Sequence, residues 1–586
     1  MQTVKNKEII IGMILEDLHA EFTQELIQSV VNAIPNNKNI RLIVLPGKYG
    51  VNKLSKVSAE YNRVYNSVFR YAELCDIDGL IIHLGSISGQ NREDQIEHEL
   101  ERFRNIPKIF IASDLKHHTT VNYDNEAGIR EAVDILVNVK GLSNICMLGG
   151  RVDNKDARTR KEIFARCLAE NGITFTENNF VFTDMSPNCE AEAADLLDRN
   201  PNAHAVFCVN DSVAKGLYKV MAQRGLTPGK DILVFGFDNT RMTTELFPPL
   251  ASIGLADCTL GQKALELLLA KINGDAPESA IVATRLYGRE SFPHEMYEYS
   301  LLELQNSDSS FIYRMFDDCF YRYRSEIIDR ESVDLKRLFY EFMSRMLMAL
   351  KKRYMSIEEF KEIERMIDKF FDKGALNYTD SHKFIKCVEK LQNAINESQR
   401  TVGAKVMLNR LFLKMKDCAI MSFASDRTKE RRTFSRGRDM IKDFLIECSI
   451  YENKSENYID NVVRSLSNLA LRNAALYMFD EPVIYHSRED KIPEHINMLC
   501  VIKARELYRI SAERQQCHVS DIFRRPELEK KCKGFLAFPV IFGEYVYGLL
   551  LLEITPSAFG RGEYISLQLG RSFYLDYIYK KLNANK

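Results

Sequence analysis

Short apolar runs punctuate the first three hundred positions: "EIIIGMIL" (8–15), "IRLIVLP" (40–46), "DGLIIHL" (78–84), "KIFIAS" (108–113), "NICMLGG" (144–150), "AVFCVN" (205–210) and "ILVFGFD" (232–238). Between them, segments such as "EFTQELIQSVVNAI" and "EAGIREAVDILVNV" space their apolar residues three and four apart, the period of a helix with one buried face. Strand and helix in alternation predict parallel sheets, because parallel strands need crossovers and crossover helices cover both sheet faces. Open sheets of this kind bind ligands beyond the carboxyl ends of their strands. Asn210-Asp211 and Asp238-Asn239 stand at two such ends, with a helical segment between them. Each also suits a helix N-cap, so either pair alone is ambiguous and the two together point to a site.

After about residue 300 the pattern changes. Helical spacing runs through "DLKRLFYEFMSRMLMALKKR", "SIEEFKEIERMIDKFFDKG" and "HKFIKCVEKLQNAINESQ", with Leu338, Phe342, Met346 and Leu350 on one face. Ser356 and Glu359 have the spacing of a capping box. Beyond 440 the texture is α/β again. "DFLIECSIYENKSENYIDNVVRSLSNL" reads as helix, "NAALYMFD" as a strand, "GFLAFPVIFGEYVYGLLLLEI" as a hairpin turning at Gly543-Glu544, and the last segment as a helix. Three domains follow: 1–298, an all-α connector at 299–440, and an α+β unit at 441–586.

Composition narrows the function. Eighty basic against 81 acidic residues, a net charge of −1, advertise neither a nucleic acid nor a membrane partner. "KERRTFSRGRD" (429–439) gathers five basic residues around one Phe, and reads more simply as a solvated linker than as a nucleic-acid contact. Thirteen scattered cysteines without a C-x-x-C pair suit reduced thiols and a cytoplasmic protein. The amino terminus reads as a strand, not a signal peptide, and no apolar run of 18 residues is present to span a bilayer. Phosphate-loop, H-E-x-x-H and G-x-S-x-G patterns are missing, so no enzyme is expected. Cys500, Cys517, His518 and Cys532 fit no zinc spacing, and His117-His118 falls in a loop, so neither metal nor cofactor is expected.

"VNDSVAKGL", "RGLTPGKDILVFGFDN", "FPPLASI" and "LGQKALELLLAKING" occur in order, after "DGLIIHLGS", "IPKIFIAS", "VNYDNEAG" and "DARTRKEIFARCLAENGI". This succession resembles the effector domain of the lactose/galactose-repressor family, which shares the bilobed periplasmic-binding-protein fold, over about residues 7–295. The resemblance implies lobes at 7–113 plus roughly 255–295 and at 122–250, closing on a small polar ligand, commonly a sugar or nucleobase. It assigns ligand contacts to Arg160, Asn210 and Asp238 in one lobe and to Asp17, His19 and Phe22 in the other. Asp124 matches a pattern position near a crossover, and equally reads as an N-cap. Where the family often has Asn-Pro-Phe-Phe, this chain has Ala20-Glu21-Phe22-Thr23. The family's repressors open with a helix-turn-helix of some fifty residues, whereas this sequence opens on a strand. Residues 441–586 resemble a GAF domain without its cyclic-nucleotide signature. The whole is similar to the input half of bacterial diguanylate cyclases, without their Gly-Gly-Asp/Glu-Glu-Phe motif. The expected protein is a homodimeric sensor of a sugar-like ligand that relays closure through helices to a GAF-like module or effector protein. The alternatives are a transcription regulator, an interaction scaffold lacking a DNA-binding segment, or part of a longer cyclase.

Overall fold

The computed structural model describes residues 8–584 except 17, 37–38, 49–55, 85–102, 104, 114, 116, 257, 294–308, 321–334, 353, 380, 398–401, 450–457 and 488. Its first lobe is a parallel sheet of β1 (Ile9–Glu16), β2 (Ile40–Gly47), β3 (Gly79–His83), β4 (Lys108–Ile111) and β5 (Thr120–Tyr123), extended by β11 (Ala280–Val282). Alternation sorts its side chains: Ile11, Met13 and Leu15 of β1 enter one core, while Ile10 and Ile14 enter another on the opposite face. The second lobe is the sheet of β6 (Ile145–Gly149), β7 (Phe180–Phe182), β8 (Ala205–Cys208), β9 (Leu233–Phe237) and β10 (Ala251–Leu255), with β12 (Thr284–Tyr287) antiparallel to β10.

Lobe boundaries differ from the expected ones. β5 belongs to the first lobe, whereas β10 and β12 belong to the second. The chain therefore crosses at Asp124, Ala256 and Ala283, where the Asp124 N–H donates to Val282 O and the Ala256 N–H to Ala283 O, both at 2.8 Å. These short segments were too weakly apolar to be assigned from pattern, and the backbone bonds of neighbouring crossovers decide where they lie.

The middle segment is helical as expected, with helices at Ser309–Cys319, Leu335–Lys352, Ile357–Asp372, Ser381–Glu397 and Val402–Ser449 around a core of their own. Leu338, Phe342 and Met346 are buried there, and Ser356 and Glu359 form the capping box. The last helix continues nine residues past 440, so that Phe444 and Cys448 pack into the following domain. The side chains of 422–438, and with them nearly all of the basic stretch, lie outside the described residues.

The carboxyl-terminal unit contains β13 (Ala474–Ile484), β14 (His495–Lys503), β15 (Glu506–Arg509), β16 (Gln516–His518), β17 (Gly534–Phe542) and β18 (Tyr545–Glu553), then the helix Pro556–Ala584. β17 and β18 form the expected hairpin, with Gly543 at φ +57° in its turn. This sheet is not separate: β17 pairs in parallel with β2, matching Phe535 with Ile43, and joins it to the first lobe in one twelve-stranded sheet. Ile43 and Phe535 are fully buried in one shared core with Tyr65 and Tyr477. Burying side chains of that size stabilises by about 1.5–3 kcal/mol each. Gly534 permits the approach, since a Cβ there would lie 2.8 Å from Leu42 O. Arg41 is buried beside the junction, 2.8 Å from Glu8 and donating to Phe523 O at 2.8 Å, and Arg524 reaches Asp78 at 2.6 Å. The first lobe and carboxyl-terminal unit are thus one continuous body.

Candidate functional site: the cleft between the lobes

Residues just past the carboxyl ends of strands from both lobes face one another across a cavity of about 870 Å³. The first lobe supplies Leu18 and His19 after β1, Lys48 after β2, His83 at the end of β3, Ala112 after β4 and Tyr123 at the end of β5. The second supplies Arg151 after β6, Asn210 after β8 and Asp238 after β9, with Asp156 and Arg160 from the helix Lys155–Glu170. The volume is that of ordinary small-molecule sites.

Arg160 organises the floor. Its guanidinium is almost completely buried and donates to Val209 O at 2.7 Å, Asn125 Oδ1 at 3.1 Å and Asp238 Oδ1 at 3.3 Å. It lies 3.5 Å from the centroid of the Phe237 ring and 5.7 Å from that of Tyr123. Asp238 adopts φ +98°, a strained conformation for a side-chain-bearing residue, held by its N–H to Ile253 O at 2.8 Å. Burial raises the Asp238 pKa, against the lowering influence of Arg160.

Asn210 and Asp211 explain the first strand-end pair. The Asn210 side chain caps the helix Asp211–Gln223 by accepting from the Val213 N–H at 2.9 Å, and its amide donates to Met185 O at 3.1 Å. It thus has a structural part whether or not it also meets a ligand. Buried Asp211 accepts from the Ser252 hydroxyl at 2.6 Å and the Thr240 N–H at 2.8 Å, fixing the loop that carries Asp238. Burial raises its pKa well above the usual range.

The opposite wall is aromatic. Phe22 sits 5.6 Å from the His83 ring and 6.5 Å from Tyr123, which meets Phe237 edge-on at 5.8 Å. Burial lowers the His83 pKa to about 4, so at neutral pH the imidazole is uncharged.

Of the expected contacts, His19, Phe22, Arg160, Asn210 and Asp238 line the cavity. Asp124 does not. Its carboxylate caps the helix Asn125–Asp134 through the Glu126 and Ala127 N–H groups, and its carbonyl accepts from the Thr284 hydroxyl at the crossover. Its short side chain is spent on the backbone beside it. Asp17 lies outside the described residues. His83, Tyr123 and Asp156 went unnoticed in the sequence. His83 and Tyr123 obey the same strand-end rule that marked Asn210, whereas Asp156 stands one turn before Arg160 on the same helix. Lys48 and Glu563 also line the cleft, and Glu563 comes from the carboxyl-terminal helix.

Among the described residues, no group of three or more His, Cys, Asp or Glu is placed to hold a metal ion, and no helix is long and apolar enough to cross a membrane.

Residues 133–292 match the family model of the periplasmic binding protein-like domain. One curated relative is the HTH-type transcriptional repressor PurR of Vibrio atlanticus (strain LGP32), 27% identical over 208 residues that cover 35% of this chain and 60% of that protein. Another is catabolite control protein A of Priestia megaterium, 28% identical over 210 residues, covering 35% and 61%. The chain spans about 60% of the length of these relatives. Among solved structures, a sugar-binding transcriptional regulator (LacI family) from Enterococcus faecalis aligns with 50% of this chain and 100% of that one at 25% identity, with a TM-score of 0.40. The span matched to the periplasmic binding protein-like domain contains Arg160, Asn210 and Asp238.

Proposed function

We propose that the chain is a sensor in which a small polar, sugar-like ligand bridges the two lobes and favours their closure. The observation that carries this reading is the Arg160–Asp238 pair on one wall, facing Phe22, His19 and neutral His83 on the other. A guanidinium donates to hydroxyl oxygens, a carboxylate accepts from hydroxyl hydrogens, and aromatic faces cover the apolar side of a sugar ring. Differential affinity for the closed form is enough to shift a two-state equilibrium.

The carboxyl-terminal unit is read as a GAF-like dimerisation or output module, on the strength of its antiparallel sheet, the β17–β18 hairpin and the final helix. The chain acts as a homodimer in this reading, and the helices between residues 309 and 449 relay lobe motion. Regulation of transcription is the role given by the name of the PurR relative, and it is the runner-up.

A thermal-shift screen of the full chain against monosaccharides, disaccharides, nucleobases and amino acids tests the proposal. At ~100 times the dissociation constant, a ligand stabilises by roughly 2.7 kcal/mol. A shift for one chemical class, lost in Asp238→Ala without loss of the fold, is the expected outcome. A shift that survives Asp238→Ala removes Asp238 from the site, and silence across the panel removes the sensor reading.

A further inference from the structure

The cleft is not built by the two lobes alone. The helix Pro556–Ala584 belongs to the carboxyl-terminal unit, yet its Glu563 reaches the cavity wall of the first lobe. One carboxylate oxygen accepts from the Tyr61 hydroxyl at 2.8 Å and lies 2.9 Å from Lys48 Nζ, while the other is 3.4 Å from His19 Nε2. These partners come from three separate parts of the first lobe: the segment after β1, the residue after β2 and the helix Lys56–Tyr65. The Glu563 side chain is only 18% exposed. The shared sheet and core hold the helix in this position, so the carboxylate is a fixed part of the wall.

Carboxylates outnumber cations along the cleft, where Glu16, Glu21, Asp156, Asp184, Asp211, Asp238 and Glu563 stand against Lys48, Arg151, Arg160 and Lys215. In the second lobe, Arg160 faces Asp238 and Arg151 faces Asp153 at 2.8 Å. Among the described residues of the first lobe that line the cleft, the cationic groups are Lys48 and, when protonated, His19, and both face Glu563. A phosphate or carboxylate placed on this rim would draw on those same donors, and would meet the Glu563 carboxylate beside them.

We propose that the carboxyl-terminal unit completes the ligand cleft, with Glu563 acting as a built-in anion that occupies Lys48 and His19 and so selects uncharged, hydroxyl-rich ligands over phosphorylated or carboxylate ones. This specificity role deepens the sensor reading and rests on it for the ligand class. It also places the output unit in direct contact with the ligand site, without passage through the helical segment.

The test uses the full chain and three probes: D-glucose, glucose 6-phosphate and inorganic phosphate. In Glu563→Gln, affinity for glucose 6-phosphate and for inorganic phosphate rises about tenfold or more, because a neutral amide keeps the Tyr61 contact while freeing the charge on Lys48. Affinity for D-glucose, where measurable, changes less than about threefold, and Glu563→Asp restores the original ranking. Equal anion affinity in the unaltered chain and Glu563→Gln overturns the proposal. Should Glu563→Gln fail to fold, Lys48→Met gives the converse: the uncompensated carboxylate then favours glucosamine over D-glucose by more than about threefold relative to the unaltered chain, and an unchanged ratio overturns the proposal. The inorganic phosphate arm needs no sugar to bind. Failure of the sensor reading, seen in the sugar screen with Asp238→Ala, is therefore distinguishable from failure of the Glu563 proposal.

Discussion

If the first lobe and the carboxyl-terminal unit are one body, a change at the β2–β17 junction must weaken both together. Gly534→Val is the sharpest perturbation. A Cβ at 534 would lie 2.8 Å from Leu42 O and 2.7 Å from Ile554 Cδ1, and the backbone oxygen cannot turn aside as a side-chain terminus can. Overpacking of this kind costs about 1–3 kcal/mol. Separation of the strands also loses the Leu42 N–H to Lys533 O hydrogen bond of 2.8 Å, at roughly 1 kcal/mol. A total of about 2–4 kcal/mol lowers Tm by roughly 4–16 °C in a unit of this size. Hydrogen exchange followed by mass spectrometry reads the location: in Gly534→Val, protection falls in 40–47 and in 534–553 alike, while strands β6 to β10 of the second lobe keep theirs. Gly560→Ala is the matched control, because nothing lies within 4 Å of its added Cβ and alanine is the better helix residue, worth up to about 1 kcal/mol. Exchange that rises in 534–553 with no change in 40–47 would refute the single-body argument.

Two pH effects follow from the cleft. Because His83 has a pKa of about 4 in the folded chain and about 6.5 when exposed, the unfolded chain takes up the proton first as pH falls. The stability contributed by neutral His83 is complete above pH 6.5 and lost between 6.5 and 4, a difference of roughly 3 kcal/mol. Denaturant titrations of the unaltered chain and His83→Gln, repeated across that window, should show the slope in the first only, and parallel curves would discard the assignment. Glu21, on the first lobe, is pushed up to about 7, first by burial and then by Glu25 and by Glu245 of the second lobe, against Arg241 and the Met242 backbone. Here apposition of the lobes takes up a proton, so raising pH from about 4.5 to about 7 opposes it, by roughly 1 kcal/mol after allowance for the partial exposure of the group. Spin labels on the two lobes should give a longer or broader distance distribution at pH 8 than at pH 5.5, and Glu21→Gln should remove the difference. The same distribution at both pH values in the unaltered chain contradicts the assignment.

Much of the architecture was legible because it is local. Seven apolar runs predicted seven strands, Gly543-Glu544 predicted the hairpin turn, and Ser356 with Glu359 predicted a helix start, since each signal lies within a few residues of what it specifies. The strands β5, β7, β10, β11 and β12 were not assigned, for they are short and their pattern is interrupted. Asp124 shows the limit of a local rule: a carboxylate before a helix satisfies both readings in sequence, and only the crossover geometry chooses the cap. The β2–β17 pairing has no local signal at all. Its partners come from opposite ends of the chain, and a strand buried on both faces has the same apolar pattern whether its edge is paired or bare. Glu563 was hidden for a related reason, because a carboxylate on a terminal helix reads as solvated until the surface facing it is known.

The order of attachment along the chain has a mechanical consequence. β12 and buried Phe292 place the end of the bilobed region in the second lobe. The end of the helix Val402–Ser449 packs Phe444 and Cys448 into the carboxyl-terminal unit, whose β13 lies in a sheet continuous with the first lobe. The helical segment is therefore tied at one end to the second lobe and at the other to the first. The three crossovers at Asp124, Ala256 and Ala283 lie on short hydrogen-bonded backbone, and in the proposed closure one lobe pivots on the other there. Any rotation there changes the separation of the two attachment points of the helices, whose apolar core of Phe, Met and Leu side chains is their own. Close-packed cores resist continuous deformation and pass between discrete arrangements. A change in lobe angle must accordingly be absorbed either at the links on each side of that core or by helices sliding within it, whereas the contact between Glu563 and the cleft moves with the first lobe and is not stretched by the rotation.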